Sequence, residues 1–239
     1  MYDSRYLSKV KKAIKEYDMI REGDRVVAGV SGGKDSTALL YILAQLQRHS
    51  HLRFELHAVI LDIGWGEVNL DGHRALCERL GVPLTVKGHP VAQIIDKHPE
   101  KNACTLCGKI RAGVLNNTAL ELGANRVALG HHLDDVIETY FLNLIFTGQM
   151  KTFLPNTYLS NTDLHLIRPL VFLPEHVLVS LARREELPVV TNPCPHNGHT
   201  RRDEAKAIVS DLVVRYPDFR DKFLSALHNV SLENLWKQR

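Results

Sequence analysis

The sequence predicts an α/β protein: a parallel sheet with helices on both faces and short helical extensions at its two ends. Three observations carry this. Short apolar runs alternate with amphipathic stretches along the 239 residues, the order that βαβ units need. The runs are continuously apolar instead of alternating, as strands buried on both faces read. Three motifs able to do chemistry follow apolar runs, after Val30, Leu61 and Leu129, where parallel sheets gather their ligands. The expected organisation is an N-terminal helical extension over 1–24, an α/β domain over 25–200 and a C-terminal helical extension over 201–239.

Taken in order, Tyr6 to Tyr17 reads as a leading helix with Lys9, Lys11, Lys12 and Lys15 among its polar residues. Arg25 to Val30 is a Val-rich strand ending at a glycine-rich turn, and Thr37 to Leu46 carries apolar residues at helical spacing. A strand over Phe54 to Leu61 is followed by a helix over Asn69 to Leu80, closed by Gly81, and by a short strand over Pro83 to Val86. Lys109 to Leu122 is helical and stops at Gly123, the residue a left-handed cap favours. Arg126 to Leu129 reads as a strand and Asp134 to Phe146 as a helix. Pro174 to Leu187 is helical, with proline where a missing N–H does no harm, and Val189-Val190 suggests a last short strand. Asp203 to Phe223 predicts one or two closing helices broken at Pro217.

Composition narrows the functional classes. With 44% hydrophobic and 24% charged residues, disorder, collagen and coiled coil fit poorly. A chain of this length buries about 70% of its unfolded surface, so it needs no disulfide scaffold. No apolar run approaches the roughly 18 residues of a membrane span. Met1-Tyr2-Asp3-Ser4-Arg5 lacks the apolar core of a signal peptide. A cytoplasmic protein with no membrane partner is expected. A formal charge of +3 permits a nucleic-acid partner without demanding one.

The strongest motif is Ser31-Gly32-Gly33-Lys34-Asp35-Ser36, between the first strand and the first helix. Two glycines let the backbone approach an anion, and the helix start offers unsatisfied N–H groups beside the Ser31 and Ser36 hydroxyls. Such a nest favours phosphate. It is not a Walker A loop: Gly29 to Gly33 is one residue short, and Asp35 follows the lysine.

Cysteine usage is the second signal. Cys104-Thr105-Leu106-Cys107 stands at a helix start, where two thiols can face one metal and the helix end is expected to lower their pKa. Cys194 lies far off in sequence between Pro193 and Pro195. A structural zinc normally takes four protein ligands, so these three would need His196 or His199. A redox dithiol would leave Cys194 idle. An iron–sulfur cluster on three thiolates would leave one iron open to exogenous sulfur. Zinc and cluster stand level on spacing alone. Cys77, in an apolar stretch, reads as a packing residue.

Together the motifs resemble the tRNA 2-thiocytidine synthetase family of PP-loop, or N-type, ATP pyrophosphatases. The resemblance rests on Met19-Ile20 through Gly23-Asp24-Arg25, on Ser31 to Ser36, and on Cys104 to Cys107 followed by Arg111. It continues through Leu122-Gly123-Ala124, Ala128-Leu129-Gly130-His131-His132 with Asp134-Asp135, Ile167-Arg168-Pro169-Leu170, Cys194 and Arg215-Tyr216-Pro217. It spans Met19 to the C-terminus, and it implies a PP-loop ATPase fold. The implied chemistry adenylates the C2 oxygen of a tRNA pyrimidine, releases pyrophosphate, and replaces that oxygen with sulfur through a three-cysteine [4Fe-4S] cluster. It favours cluster over zinc on Cys104, Cys107 and Cys194. ATP, Mg²⁺, tRNA and a sulfur donor, such as a cysteine desulfurase or free sulfide, are the implied cofactors and partners. A homodimer would help a small protein grip RNA. In 2-thiouridine relatives a lysine stands at the place of Arg111, and the flanking zinc-finger pairs of some relatives are missing here.

The remaining residues take expected roles on this basis. Ser31, Gly32, Gly33, Lys34, Asp35 and Ser36 hold pyrophosphate. Asp62 binds Mg²⁺ or orients the activated base, and Arg111 stabilises phosphate charge. Gly130 allows close approach of the nucleotide, His131 contacts it, and Asp134 or, second, Asp135 holds Mg²⁺, with capping by Asp134 compatible. Arg168 reaches phosphate or makes a surface salt bridge. Thr200-Arg201-Arg202 and the N-terminal lysines can track an RNA backbone. Two rivals remain: a lysidine-synthetase-like PP-loop ligase or amidase with a structural zinc, and a nucleotide-binding module without turnover.

Overall fold

The computed structural model describes residues 5–66, 68–190, 194–195 and 201–236. The expected zinc donors His196 and His199, and the Thr200 part of the basic stretch, lie outside the described residues. The chain divides into two compact units, residues 1–132 with 154–198, and residues 133–153 with 199–239. One boundary, between 198 and 199, lies close to the expected one at 200, and none falls at 24. The N-terminal helix belongs with the sheet, and a segment taken from the middle of the chain belongs with the C-terminal helices.

The first unit contains α1 (Arg5–Glu16), β1 (Arg25–Val30), α2 (Lys34–His49), β2 (Glu55–Asp62), α3 (Asp71–Leu80), β3 (Leu84–Gly88), α4 (Val91–Asp96) and α5 (Ala103–Glu121). It continues with β4 (Arg126–Ala128), then β5 (Asn156–Leu159), β6 (Leu164–Ile167) and α7 (Glu175–Arg184). The six strands lie in the order β3-β2-β1-β4-β6-β5. All neighbours are parallel except the β5–β6 hairpin. Chain connection runs one way from β1 to β2 and the other way from β4 toward β6, so the sheet reverses between β1 and β4. Ligands settle in the crevice such a reversal opens at the carboxyl edge.

Side chains alternate across the strands, and the two faces find different helices. Val27, Val59 and Val127 pack with Leu115 and Ala119 of α5. A Cβ on Gly29, on that same face, would stand 2.8 Å from Leu115 Cδ2. Helix α2 packs on β1 and β2 and buries Leu39, Leu40, Ile42 and Leu43 completely. Helices α3 and α5 end at glycines with positive φ, Gly81 at 61° and Gly123 at 67°. These left-handed caps accept backbone geometry that other residues resist.

Four features depart from expectation. The β5–β6 hairpin and the six-residue α4 have no counterpart in the sequence reading. Val189-Val190 is not a strand: the Val190 N–H donates to Gly32 O at 2.8 Å, so its backbone serves the phosphate loop instead of the sheet. Helix α7 is also shorter than Pro174 to Leu187, because Pro174 stands at its N-cap and Glu186 has a φ of 48°.

The second unit is helical: α6 (Leu133–Thr147), α8 (Arg201–Arg215), α9 (Phe219–His228) and a 3-10 turn over Leu232–Asn234. Leu133, Ile137 and Val209 form its core, with Phe141, Val213, Phe219, Phe223 and Leu224 packed around them. No helix among the described residues is long and apolar enough to cross a membrane.

Candidate functional site

The loop 31–36 joins β1 to α2 at the sheet reversal. Gly32 has a φ of 85°, which an L side chain resists. The turn is closed by its own hydroxyls. The Ser31 N–H donates to Ser36 Oγ at 3.0 Å, and Ser36 Oγ donates to Gly33 O at 3.0 Å. Thr37 adds two further donors to the same carbonyl, N–H at 3.1 Å and Oγ1 at 3.0 Å. The loop is thus a built cradle at the start of a 16-residue helix, where peptide N–H groups and the helix dipole favour an anion.

Gly130, after β4, is pressed against this cradle. A Cβ there would meet Ser36 N at 2.9 Å and Asp35 C at 3.0 Å. Its lack of a side chain therefore serves backbone packing on the loop, a tighter constraint than room for a nucleotide. His131 follows it, half-buried.

Lys34 lies between two carboxylates, donating to Glu175 Oε1 at 2.6 Å and Asp35 Oδ2 at 3.0 Å. Burial alone would lower its pKa, but hydrogen bonds and charge from Glu175 and Asp35 outweigh burial and raise it. The buried His132 brings Nε2 to 3.8 Å from Asp35 Oδ1. Among the described residues, the group of metal-ligating side chains whose donor atoms all lie within 4.8 Å is Asp35, His132 and Glu175. Glu175 and His132 carry no expected role in the sequence reading. The only available signal for Glu175 was its place at a helix start soon after Arg168-Pro169.

The other expected Mg²⁺ carboxylates have defined partners. Asp62, at the exposed end of β2, accepts the Gly64 N–H at 3.1 Å in a local turn. Within the helical unit, Asp134 accepts from Arg220 Nε at 2.7 Å and Asp135 from Arg202. Arg168, expected at phosphate or in a surface salt bridge, is not a surface residue. It is buried at the end of β6, donates to Leu154 O at 2.6 Å, and has its pKa lowered by that burial.

The cysteines occupy the first turn of α5. Asn102 caps this helix by accepting the Thr105 N–H at 2.9 Å. Cys104 and Cys107 then fall one turn apart on the same face. Eight residues separate Cys107 from Leu115, which touches β1, so Cys107 projects about 12 Å further along α5. Cys107 feels the charge of Cys194 and Cys104, and Arg111 hydrogen-bonds to it. Residue 194 thus comes to the CxxC pair across 87 residues. The expected lowering of thiol pKa fails at Cys107. Burial comes first, with the neighbouring thiols adding to it, and together they raise the pKa against the opposing pull of Arg111. Cys77 is buried as a packing residue, as expected.

All three candidate ligands are thiols, donors that zinc and iron–sulfur centres both accept.

A phosphate cradle at a sheet reversal, with a lysine paired to two carboxylates within it, defines a PP-loop nucleotide-binding protein. The PP-loop domain family matches residues 3–206. Within that class, the chain belongs to the family of tRNA-cytidine(32) 2-sulfurtransferases. It is 38% identical over 234 residues to that protein of Pelobacter propionicus, covering 96% of this chain and 87% of the relative. It is 36% identical over 241 residues to the one of Syntrophotalea carbinolica, covering 98% and 93%. The fold is similar to U34-tRNA thiolase NcsA of Methanococcus maripaludis, solved with its [4Fe-4S] cluster. That match has a TM-score of 0.72 at 24% identity, covering 95% of this chain and 80% of that one. A more distant fold match is the NH3-dependent NAD synthetase of Campylobacter jejuni, with a TM-score of 0.51 at 14% identity, covering 100% and 99%.

Proposed function

We propose that this protein is an ATP-dependent sulfurtransferase that converts a cytidine of tRNA to 2-thiocytidine. The observation that carries the reading is the approach of Cys104 and Cys194 to Cys107 in a chain whose residues 31–36 form a phosphate cradle. Membership of the sulfurtransferase family supports it. The bare nucleotide-binding module gives this thiol triad no task, and the lysidine-synthetase-like ligase would use it only to hold a structural zinc.

The residues divide the chemistry. The N–H groups and hydroxyls of Ser31 to Ser36 hold the β and γ phosphates as the cytosine C2 oxygen attacks the α phosphorus. The bond to pyrophosphate breaks, and the base becomes an adenylate. Lys34 neutralises charge on the departing pyrophosphate. The Asp35 and Glu175 carboxylates, which Lys34 now bridges, are hard oxygen donors suited to the Mg²⁺ that accompanies ATP. Asp62 orients the activated base, and His131 contacts the nucleotide. Asp134 and Asp135 hold Arg220 and Arg202, and this is the role we assign them in place of Mg²⁺ binding. Arg111 keeps a permanent positive charge beside Cys107, where it steadies a thiolate or the phosphate of the adenylate.

The three thiols fit an iron–sulfur centre by donor type. When bound on three thiolates, a [4Fe-4S] cluster supplies an open iron that can carry the sulfur which displaces AMP. A desulfurase or free sulfide would provide that sulfur. The protein, assembled anaerobically, should form 2-thiocytidine in tRNA only when ATP and a sulfur source are both present, and Cys104→Ala should abolish it. Nucleoside mass spectrometry reads the product. ATP- and tRNA-dependent turnover giving an amine adduct without sulfur would favour the ligase.

A further inference from the structure

A buried histidine lies directly behind the phosphate loop. His73, in the first turn of α3, is 1% exposed, and its Nε2 is 3.1 Å from Thr37 Oγ1. The Thr37 hydroxyl has one proton, which it donates to Gly33 O at 3.0 Å. His73 must therefore be the donor, with its proton on Nε2. Its Nδ1, also buried, has no hydrogen-bond partner among the described residues, so nothing competes for the other tautomer.

We infer that His73 is a positioning residue for pyrophosphate, acting through Thr37 to hold the Gly33–Lys34 peptide in its anion-binding orientation. This rests on the reading of loop 31–36 as the pyrophosphate cradle. In a trans peptide the C=O and the following N–H point opposite ways. Three donors fix the Gly33 carbonyl inward: Thr37 N–H, Thr37 Oγ1 and Ser36 Oγ. The Lys34 N–H is thereby aimed outward, at the free start of α2 where the anion sits. Losing His73 frees the Thr37 hydroxyl to rotate. The carbonyl then keeps only the Thr37 N–H and Ser36 Oγ donors, and the Gly33–Lys34 peptide is held less firmly in the orientation that binds the anion. The bond also joins α3, which follows the Asp62 loop, to the cradle. His73 itself touches no substrate.

Isothermal titration of the full chain with magnesium pyrophosphate tests this, with thermal melts run in parallel. His73→Leu should weaken binding about three- to tenfold, the worth of one buried hydrogen bond. His73→Gln, whose amide N–H can replace Nε2–H, should restore most of that loss. Thr37→Val should weaken binding by a similar factor, and the double variant should be no weaker than the worse single, as members of one chain of bonds are not additive. Wild-type affinity in a cooperatively melting His73→Leu protein would overturn the inference, as would equal losses in the Gln and Leu variants. If His73→Leu does not fold, Thr37→Val decides, and unchanged affinity there overturns it. A wild-type protein that takes up no pyrophosphate would remove the cradle reading itself, and the inference with it.

Discussion

Gly130 is the residue on which two segments of the active site lean hardest. It touches the backbone at Asp35 and Ser36 where a methyl group would stand 2.9 to 3.0 Å from main-chain atoms. Backbone at a helix start cannot yield as a flexible side chain can. Gly130→Ala should therefore displace the loop, costing about 1–3 kcal/mol of stability, as overpacking does. It should weaken ATP binding by a larger factor than any change at the exposed Asp62. Parallel melts and nucleotide titrations of the two variants check this. Unaltered ATP affinity in Gly130→Ala would show that the loop adapts.

At the scale of elements, the sheet's amino edge is held by a buried ion pair. Arg126 Nε at the start of β4 lies 3.0 Å from Asp24 Oδ2, just before β1, with both side chains under one-tenth exposed. The Asp24 carboxylate also accepts the Arg21 N–H at 2.7 Å and Asn125 Nδ2 at 2.7 Å. Removing one partner strands the other charge in a dry setting. Asp24→Ala should cost about 3–5 kcal/mol, measured as a shifted urea midpoint with unchanged slope. A loss under about 1 kcal/mol would mean that water reaches Arg126.

Elements were legible where the pattern was long. Helices α2 and α5 and strands β1 and β2 carry enough apolar residues to declare their period. The β5–β6 hairpin escaped because its four-residue strands mix polar with apolar residues, with no continuous apolar run to mark them. Helix α4 escaped because its six residues are too few to show a helical period. Val189-Val190 looked like a strand because its β-branched pair fits one, but a long-range partner at Gly32 took the hydrogen bond a strand would use.

Over the whole molecule, the motif residues of the candidate site were readable and their partners were not. Ser31 to Ser36 and the CxxC announce themselves by local spacing. Lys34 with Glu175 is a pair 141 residues apart, and His132 with Asp35 is equally non-local. No local pattern encodes such pairs. The same holds for the two-unit division, because the core of Leu133, Ile137 and Val209 joins segments remote in sequence. The approach of Cys194 to Cys107 was an expectation of both the zinc and the cluster readings of the three thiols.

The central claim is that these three thiols hold a sulfur-delivering iron centre next to the nucleotide cradle. Iron and acid-labile sulfide analysis of protein purified without oxygen tests it most directly. The account predicts about four irons and four sulfides per chain, lost together in Cys194→Ala. A colourless protein with a single zinc per chain and no sulfide would contradict it.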